Sequence, residues 1–177
     1  MRIPAVIAVA IFFGASPASA GAFQEYNFPD QEVAIQFPEK PKLEKSTYDS
    51  IYGKGFPATV ISAEDDHVVY KLTVVDLSRK PDNGANFLNE AANRILRDSE
   101  ILFTDFTRVY QDERSVFGTS VVADRKDGTR VRTTLYGHRA RLYIAEAIVL
   151  PARGDKDMTT PSRYDQTIRF PPDGRFD

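Results

Sequence analysis

Val33, Ile35 and Phe37 recur at every second position and mark a strand with one buried face, closing a segment that opens at Phe23. Pro38 and Pro41 interrupt that pattern. Lys42 to Tyr52 reads as a polar, edge-like strand, and Gly53-Lys54-Gly55 as the turn after it. A short strand over Pro57 to Ala63 and a charged turn, Glu64-Asp65-Asp66-His67, lead to Val68–Leu77. There Val68, Tyr70, Leu72 and Val74 share one face, and Val69 and Val75 the other. The period then changes. Leu88, Ala91, Ala92, Ile95 and Leu96 follow the spacing of an amphipathic helix over Ala85 to Arg97, with Asp82-Asn83-Gly84 as its start signal.

Period two returns afterwards. Strands are predicted over Phe103–Gln111, Val116–Arg125, Thr129–Tyr136 and Ala140–Leu150. Asp127-Gly128 reads as a two-residue hairpin turn, and Gly137-His138 as the next turn. Thr160-Pro161 reads as the cap and first position of a short helix reaching Ile168. The expected class is therefore α+β: an antiparallel sheet packed by one long amphipathic helix and a short C-terminal helix.

The first residues change where such a domain works. Met1-Arg2, the apolar run Ile3 to Phe13 and the small-residue site Ala18-Ser19-Ala20 have the form of a secretory signal peptide. A helix needs about 20 apolar residues to span a bilayer, so a run this short predicts cleavage rather than anchoring. The expected division is a signal peptide at 1–20, one domain at 21–170 and a tail at 171–177, in the periplasm or secreted. The chain contains no cysteine, which excludes thiol catalysis, thiolate metal sites and lipid attachment at the cleavage point. Lys and Arg number 23 against 25 Asp and Glu, a balance that does not fit a nucleic-acid binder.

With Gly137-His138 as the turn, one face of the last hairpin is apolar and the other gathers Arg130, Arg132, Tyr136, Arg139, Arg141 and Tyr143. A two-residue Asp127-Gly128 turn adds Arg125 opposite Arg130. Like charges facing each other destabilise a sheet, so this face has two readings. It is either a surface for an acidic partner such as an envelope protein, an anionic ligand or a membrane surface, or a solvent face wetted by long cationic side chains.

Other constellations carry less. Glu64-Asp65-Asp66-His67 has the donors for a cation but no calcium-loop pattern, and no second His lies nearby in sequence. Only His67 and His138 can serve as imidazole bases, both in turns, and no G-x-S-x-G elbow occurs. Gly53-Lys54-Gly55 lacks the frame of a phosphate loop. Glu146 is the odd acid, in register with Ile144 and Ile148 on the apolar face. No catalytic residue, metal or cofactor is expected.

The Phe37-Pro38 strand end, the Gly118-Thr119 strand, the Arg141-Leu142-Tyr143 strand and the final Ile168-Arg169-Phe170 together resemble the PsbP-like superfold. That is the fold of the photosystem II oxygen-evolving P-protein and its bacterial relatives. The resemblance implies an antiparallel sheet sandwiched by helices over most of the domain, and an accessory or binding role without established catalysis. It transfers no functional residue. The expectation is an exported, non-catalytic accessory protein acting through a sheet face, with no membrane span. The alternatives are a carboxylate-dependent hydrolase using Glu146 and a carrier of a small apolar ligand between helix and sheet. Long sheet edges leave a dimer open.

Overall fold

The computed structural model describes residues 23–65, 67–80, 86–111, 114–150 and 161–171. The expected signal peptide, the Asp82-Asn83-Gly84 start signal, Asp66, Thr160 and most of the tail lie outside the described residues.

Strands β1 (Gln24–Phe28) and β2 (Val33–Phe37) form a small antiparallel pair. The opening segment is thus a hairpin rather than one strand, because Pro29 starts a 3-10 turn over Pro29–Gln31. The main sheet has seven strands, β3 (Lys42–Ser50), β4 (Gly53–Asp65), β5 (Val68–Asp76), β6 (Ser99–Gln111), β7 (Arg114–Arg125), β8 (Arg130–His138) and β9 (Arg141–Val149). Their spatial order is β3-β4-β5-β9-β8-β7-β6, with every neighbouring pair antiparallel. Two meanders therefore meet where β9 returns to lie beside β5.

The described elements overturn the α+β expectation. Among them the only α-helix is α1 (Phe87–Asp98), twelve residues long, against seven strands of 9 to 13 residues. The C-terminal element is a 3-10 turn over Pro161–Thr167, not a packed α-helix. Its own contacts explain this. Tyr164, Ile168 and Phe170 are buried in the aromatic core, and Arg169 exchanges backbone hydrogen bonds with Ala34 at 2.9 and 2.8 Å. A chain pinned at alternate positions against a strand is extended there and cannot continue a helix.

Each sheet face is covered by a different layer. Helix α1 lies on one, with Phe87 and Ala91 packed on Val75, Leu135 and Leu142. The side chain of Asn86 caps it by accepting from the Asn89 N–H at 3.0 Å. The β1–β2 hairpin and the C-terminal segment cover the other face. There Phe37, Tyr164 and Phe170 meet Tyr70, Tyr136 and Tyr143, with ring centroids 4.9–5.6 Å apart. Gly118 is required at its place under this layer. A Cβ there would stand 2.5 Å from the Leu135 carbonyl and 2.6 Å from the Tyr136 ring.

Candidate functional site

The turn before β8 is a three-residue loop, Lys126-Asp127-Gly128, not a two-residue one. Arg125 N–H donates to Thr129 O at 2.8 Å, and Gly128 takes a positive φ of 86°. Asp127 Oδ1 accepts from both the amide and the hydroxyl of Thr129, at 2.9 and 2.7 Å. Asp124 therefore faces Arg130. The extra residue moves Arg125 to the opposite face of the sheet, since a one-step change of register flips every side chain.

The turn between β8 and β9 falls at Arg139 and Ala140, both with positive φ, 46° and 55°. Tyr136 faces Tyr143 and His138 faces Arg141. The expected turn at Gly137-His138 is displaced by two residues. An even displacement keeps each side chain on its face, so Arg130, Arg132, Tyr136, Arg141 and Tyr143 do share one.

On that face the tyrosines are buried, while the arginine side chains are partly exposed and paired within the chain. Tyr136 and Tyr143 are 1% and 0% exposed, and burial pushes both phenols up to about 12. The β1–β2 layer, the C-terminal turn and strand β7 each bring an acid onto these arginines. Arg132 donates to Asp165 at 3.0 and 3.2 Å, and Arg130 to Asp124 at 2.8 and 3.0 Å. Arg141 pairs with Glu32 at 2.7 Å and reaches the Asp30 carbonyl at 3.2 Å. Arg139 stands 3.6 Å from Glu32, and the Tyr143 hydroxyl donates to Gln31 O at 2.9 Å. Burial pushes the Glu32 carboxyl up, but Arg141 and Arg139 together hold it below its ordinary value. Burial and the charge of Arg139 hold His138 below its ordinary value.

Arg125 reaches Glu146 at 2.6 Å on the α1 side, and Lys71 reaches the other oxygen at 2.5 Å. Two cations thus occupy the acid singled out in the sequence. Among the described residues no group of His, Asp and Glu is placed to hold a metal. The β3–β4 turn falls at Ile51-Tyr52 rather than at Gly53-Lys54-Gly55; Gly55 lies in β4 beside the register irregularity, with φ 70° and its N–H donating to Asp49 Oδ1 at 2.8 Å.

An open cavity of about 440 Å³ lies between the start of α1 and the β8–β9 turn, bordered by Lys80, Leu88, Arg139, Arg141 and Leu142. Another of about 370 Å³ lies on the other side of Arg141, bordered by Lys45, Thr59, Val74 and Asp76. Deeper between α1 and the sheet, Phe87, Ala91, Val75, Leu135 and Leu142 pack together.

The large exposed apolar groups gather elsewhere, on the β6–β7 hairpin. Phe106 is 89% exposed, and Tyr110 and Phe117 are each 68%. Phe117 faces Arg108, while Phe106 and Tyr110 flank Arg108 along β6, so the three rings share one face around it. The Arg108 guanidinium stacks 3.9 Å above the Tyr110 ring. Residues 114–117 extend past the last pair between β7 and β8, so this part of the hairpin projects from the sheet. Three rings at these exposures leave on the order of 400 Å² of aromatic surface, within the size of patches that mark interaction sites. Sequence reading missed this surface. Its signal was present in Phe103, Phe106, Tyr110 and Phe117, which give β6 and β7 aromatic residues at positions of both parities.

A seven-stranded antiparallel sheet between a helix and a β-hairpin layer is a PsbP-like architecture. The structure of cyanobacterial PsbP from Synechocystis sp. PCC 6803 matches with a TM-score of 0.51 at 10% identity, over 89% of this chain and 97% of that one. The chain therefore has the PsbP-like fold that its sequence resembles. A protein of unknown function from Pseudomonas aeruginosa matches more loosely, with a TM-score of 0.36 and 12% identity over 82% of this chain and 91% of that one. No family model matches the sequence, and no curated protein matches it. Among the described residues no helix is long and apolar enough to cross a membrane.

Proposed function

We propose that this chain is an exported, non-catalytic accessory protein that docks onto an envelope protein through the aromatic face of its β6–β7 hairpin. The observation that carries the reading is the contrast between two surfaces. The arginines and tyrosines of β8 and β9 are spent on internal partners. Phe106, Tyr110 and Phe117 stand in solvent on one face of a projecting hairpin. Aromatic residues and arginine are the groups enriched where proteins bind one another. The amino-terminal signal pattern supports action beyond the inner membrane, and the PsbP-like fold supports an accessory role.

The test is a pair of variants, Phe106→Ser with Phe117→Ser, compared with the parent in crosslinked co-purification from the envelope fraction. The reading expects a reproducible partner to be lost while thermal unfolding stays unchanged. Retention of every partner by the folded double variant overturns it.

A further inference from the structure

The two edges of the main sheet differ in how they are guarded. Edge strand β3 carries Lys42, Glu44 and Lys45, all exposed, and an irregular register between Tyr48 and Ser50. Charges and bulges of this kind keep an open edge from pairing. Edge strand β6 is 13 residues long, and from Phe103 to Val109 its only charges are Asp105 and Arg108. Among the described residues no strand neighbours its outer backbone. The Phe106 amide points away from β7 and donates instead to the Asp105 side chain at 2.8 Å. An exposed side-chain carboxylate thus occupies that edge donor.

We propose that β6 pairs antiparallel with β6 of a second copy, about a two-fold axis at Phe106. An axis normal to the sheet maps each face onto itself, so it passes through a residue and pairs positions at equal steps on either side. Placed at Asp105 it sets carboxylate against carboxylate, which is unfavourable. Placed at Thr107 it sets Asp105 against Val109. Placed at Phe106 it sets Phe106 against Phe106, Asp105 against Thr107, Thr104 against Arg108 and Phe103 against Val109. That register joins the rings, gives the carboxylate a hydroxyl and opposes no like charges. The two Phe106 amides then donate across the axis, and Asp105 turns to Thr107 of the other copy. Seven paired residues span about 24 Å. A contact of that extent is at the small end of specific interfaces, so the dimer is concentration-dependent, on the order of micromolar or weaker.

The inference rests on the strand edge and not on the aromatic face, so it stands apart from the docking reading. If both hold, the two aromatic faces meet at the axis and form one continuous surface.

The chain has no cysteine, so single cysteines report cleanly. The experiment is sedimentation velocity from about 1 to 500 µM, with oxidative crosslinking of Phe106→Cys, Thr107→Cys and Lys45→Cys. Facing residues of an antiparallel pair have Cα atoms about 4.5–5.5 Å apart, within reach of a disulfide. The expected result is a rise toward twice the monomer mass and a covalent dimer formed at least tenfold faster by Phe106→Cys than by the other two. Phe106→Pro removes an amide that β7 does not use, and is expected to weaken association at least tenfold with the fold retained. A monomer throughout, with Phe106→Cys crosslinking no faster than Lys45→Cys, overturns the proposal. So does a dimer that crosslinks best at Lys45→Cys or Thr107→Cys. Phe117→Ser separates the two readings, since it removes a docking ring and leaves the β6 edge intact.

Discussion

Asp165, in the C-terminal 3-10 turn, receives two hydrogen bonds from the guanidinium of Arg132 on β8, at 3.0 and 3.2 Å. Their side chains are 3% and 16% exposed. Thr134 adds a third hydrogen bond to Asp165 at 2.8 Å, and Ser120 lies 3.1 Å from Thr134. This network ties the last described segment to the middle of the sheet. It also accounts for an arginine beside the buried aromatic layer.

Removing one partner strands the other charge where water is scarce. Asp165→Ala is expected to destabilise the domain by about 3 kcal/mol, and Arg132→Met by a similar amount. The double variant Asp165→Leu with Arg132→Met is expected to lose clearly less than the sum. Urea unfolding of the four proteins checks this as a double-mutant cycle, and simple additivity contradicts it.

The β8–β9 turn uses Arg139 and Ala140 at positive φ, where L side chains are strained. Ala140→Gly removes that strain while keeping the hydrogen bond from Leu77 N–H to the residue 140 carbonyl, 2.8 Å in the parent. The expected gain is about 0.5–1 kcal/mol, measured as a shift in the denaturant midpoint at constant slope. A loss of stability shows that the turn is not strained.

Gly118 is expected to behave in the opposite way. Gly118→Ala drives a methyl group into the Leu135 carbonyl and the Tyr136 ring, so β7 and β8 must separate. A destabilisation of about 1–3 kcal/mol follows. Thermal unfolding of this variant against Thr119→Ala, on the other face of the same strand, isolates the effect.

Acid is expected to unfold the domain in two stages. His138 is held below its ordinary value of 6.5 by burial and Arg139, so the unfolded chain takes up its proton first, and stability falls as pH drops below about 6.5. Glu32 is held below its ordinary 4.5 because its arginine pairs outweigh its burial. Its contribution is complete above about 4.5 and is lost as pH falls through the lower folded value. Urea midpoints from pH 8 to 3 are expected to show the first decline removed in His138→Asn and the second reduced in Glu32→Gln. Unchanged profiles contradict these assignments.

Much of the strand pattern was legible locally. Val68, Tyr70, Leu72 and Val74 do share a buried face, and the last four strands run as a meander between turns near the expected places. The hairpin registers were less legible. The loop before β8 holds one residue more than Asp127-Gly128 suggests, and the next turn takes two residues without glycine. Backbone strain at Arg139 and Ala140 is sustained by tertiary contacts, such as the bond from Leu77 to Ala140, that no dipeptide preference reveals.

By itself the sequence determined where polar and apolar positions alternate, where the period changes to that of a helix, and which residues share a strand face. Those follow from the fixed side-chain periods of strand and helix. Only the tertiary structure decided which faces are inside. Both faces of the central strands are covered, so apolar-in and polar-out does not sort them, and Arg132 and Arg141 are partly buried there because distant acids meet them. The Asp165 carboxylate reaches Arg132 from 33 residues away, and Arg141 meets the Glu32 carboxylate and, 111 residues away, the Asp30 backbone carbonyl. Pairings at that separation depend on how layers stack, which local pattern does not encode. The same stacking left the rings of Phe106, Tyr110 and Phe117 outside, and so placed the exposed surface on β6 and β7 rather than on β8 and β9.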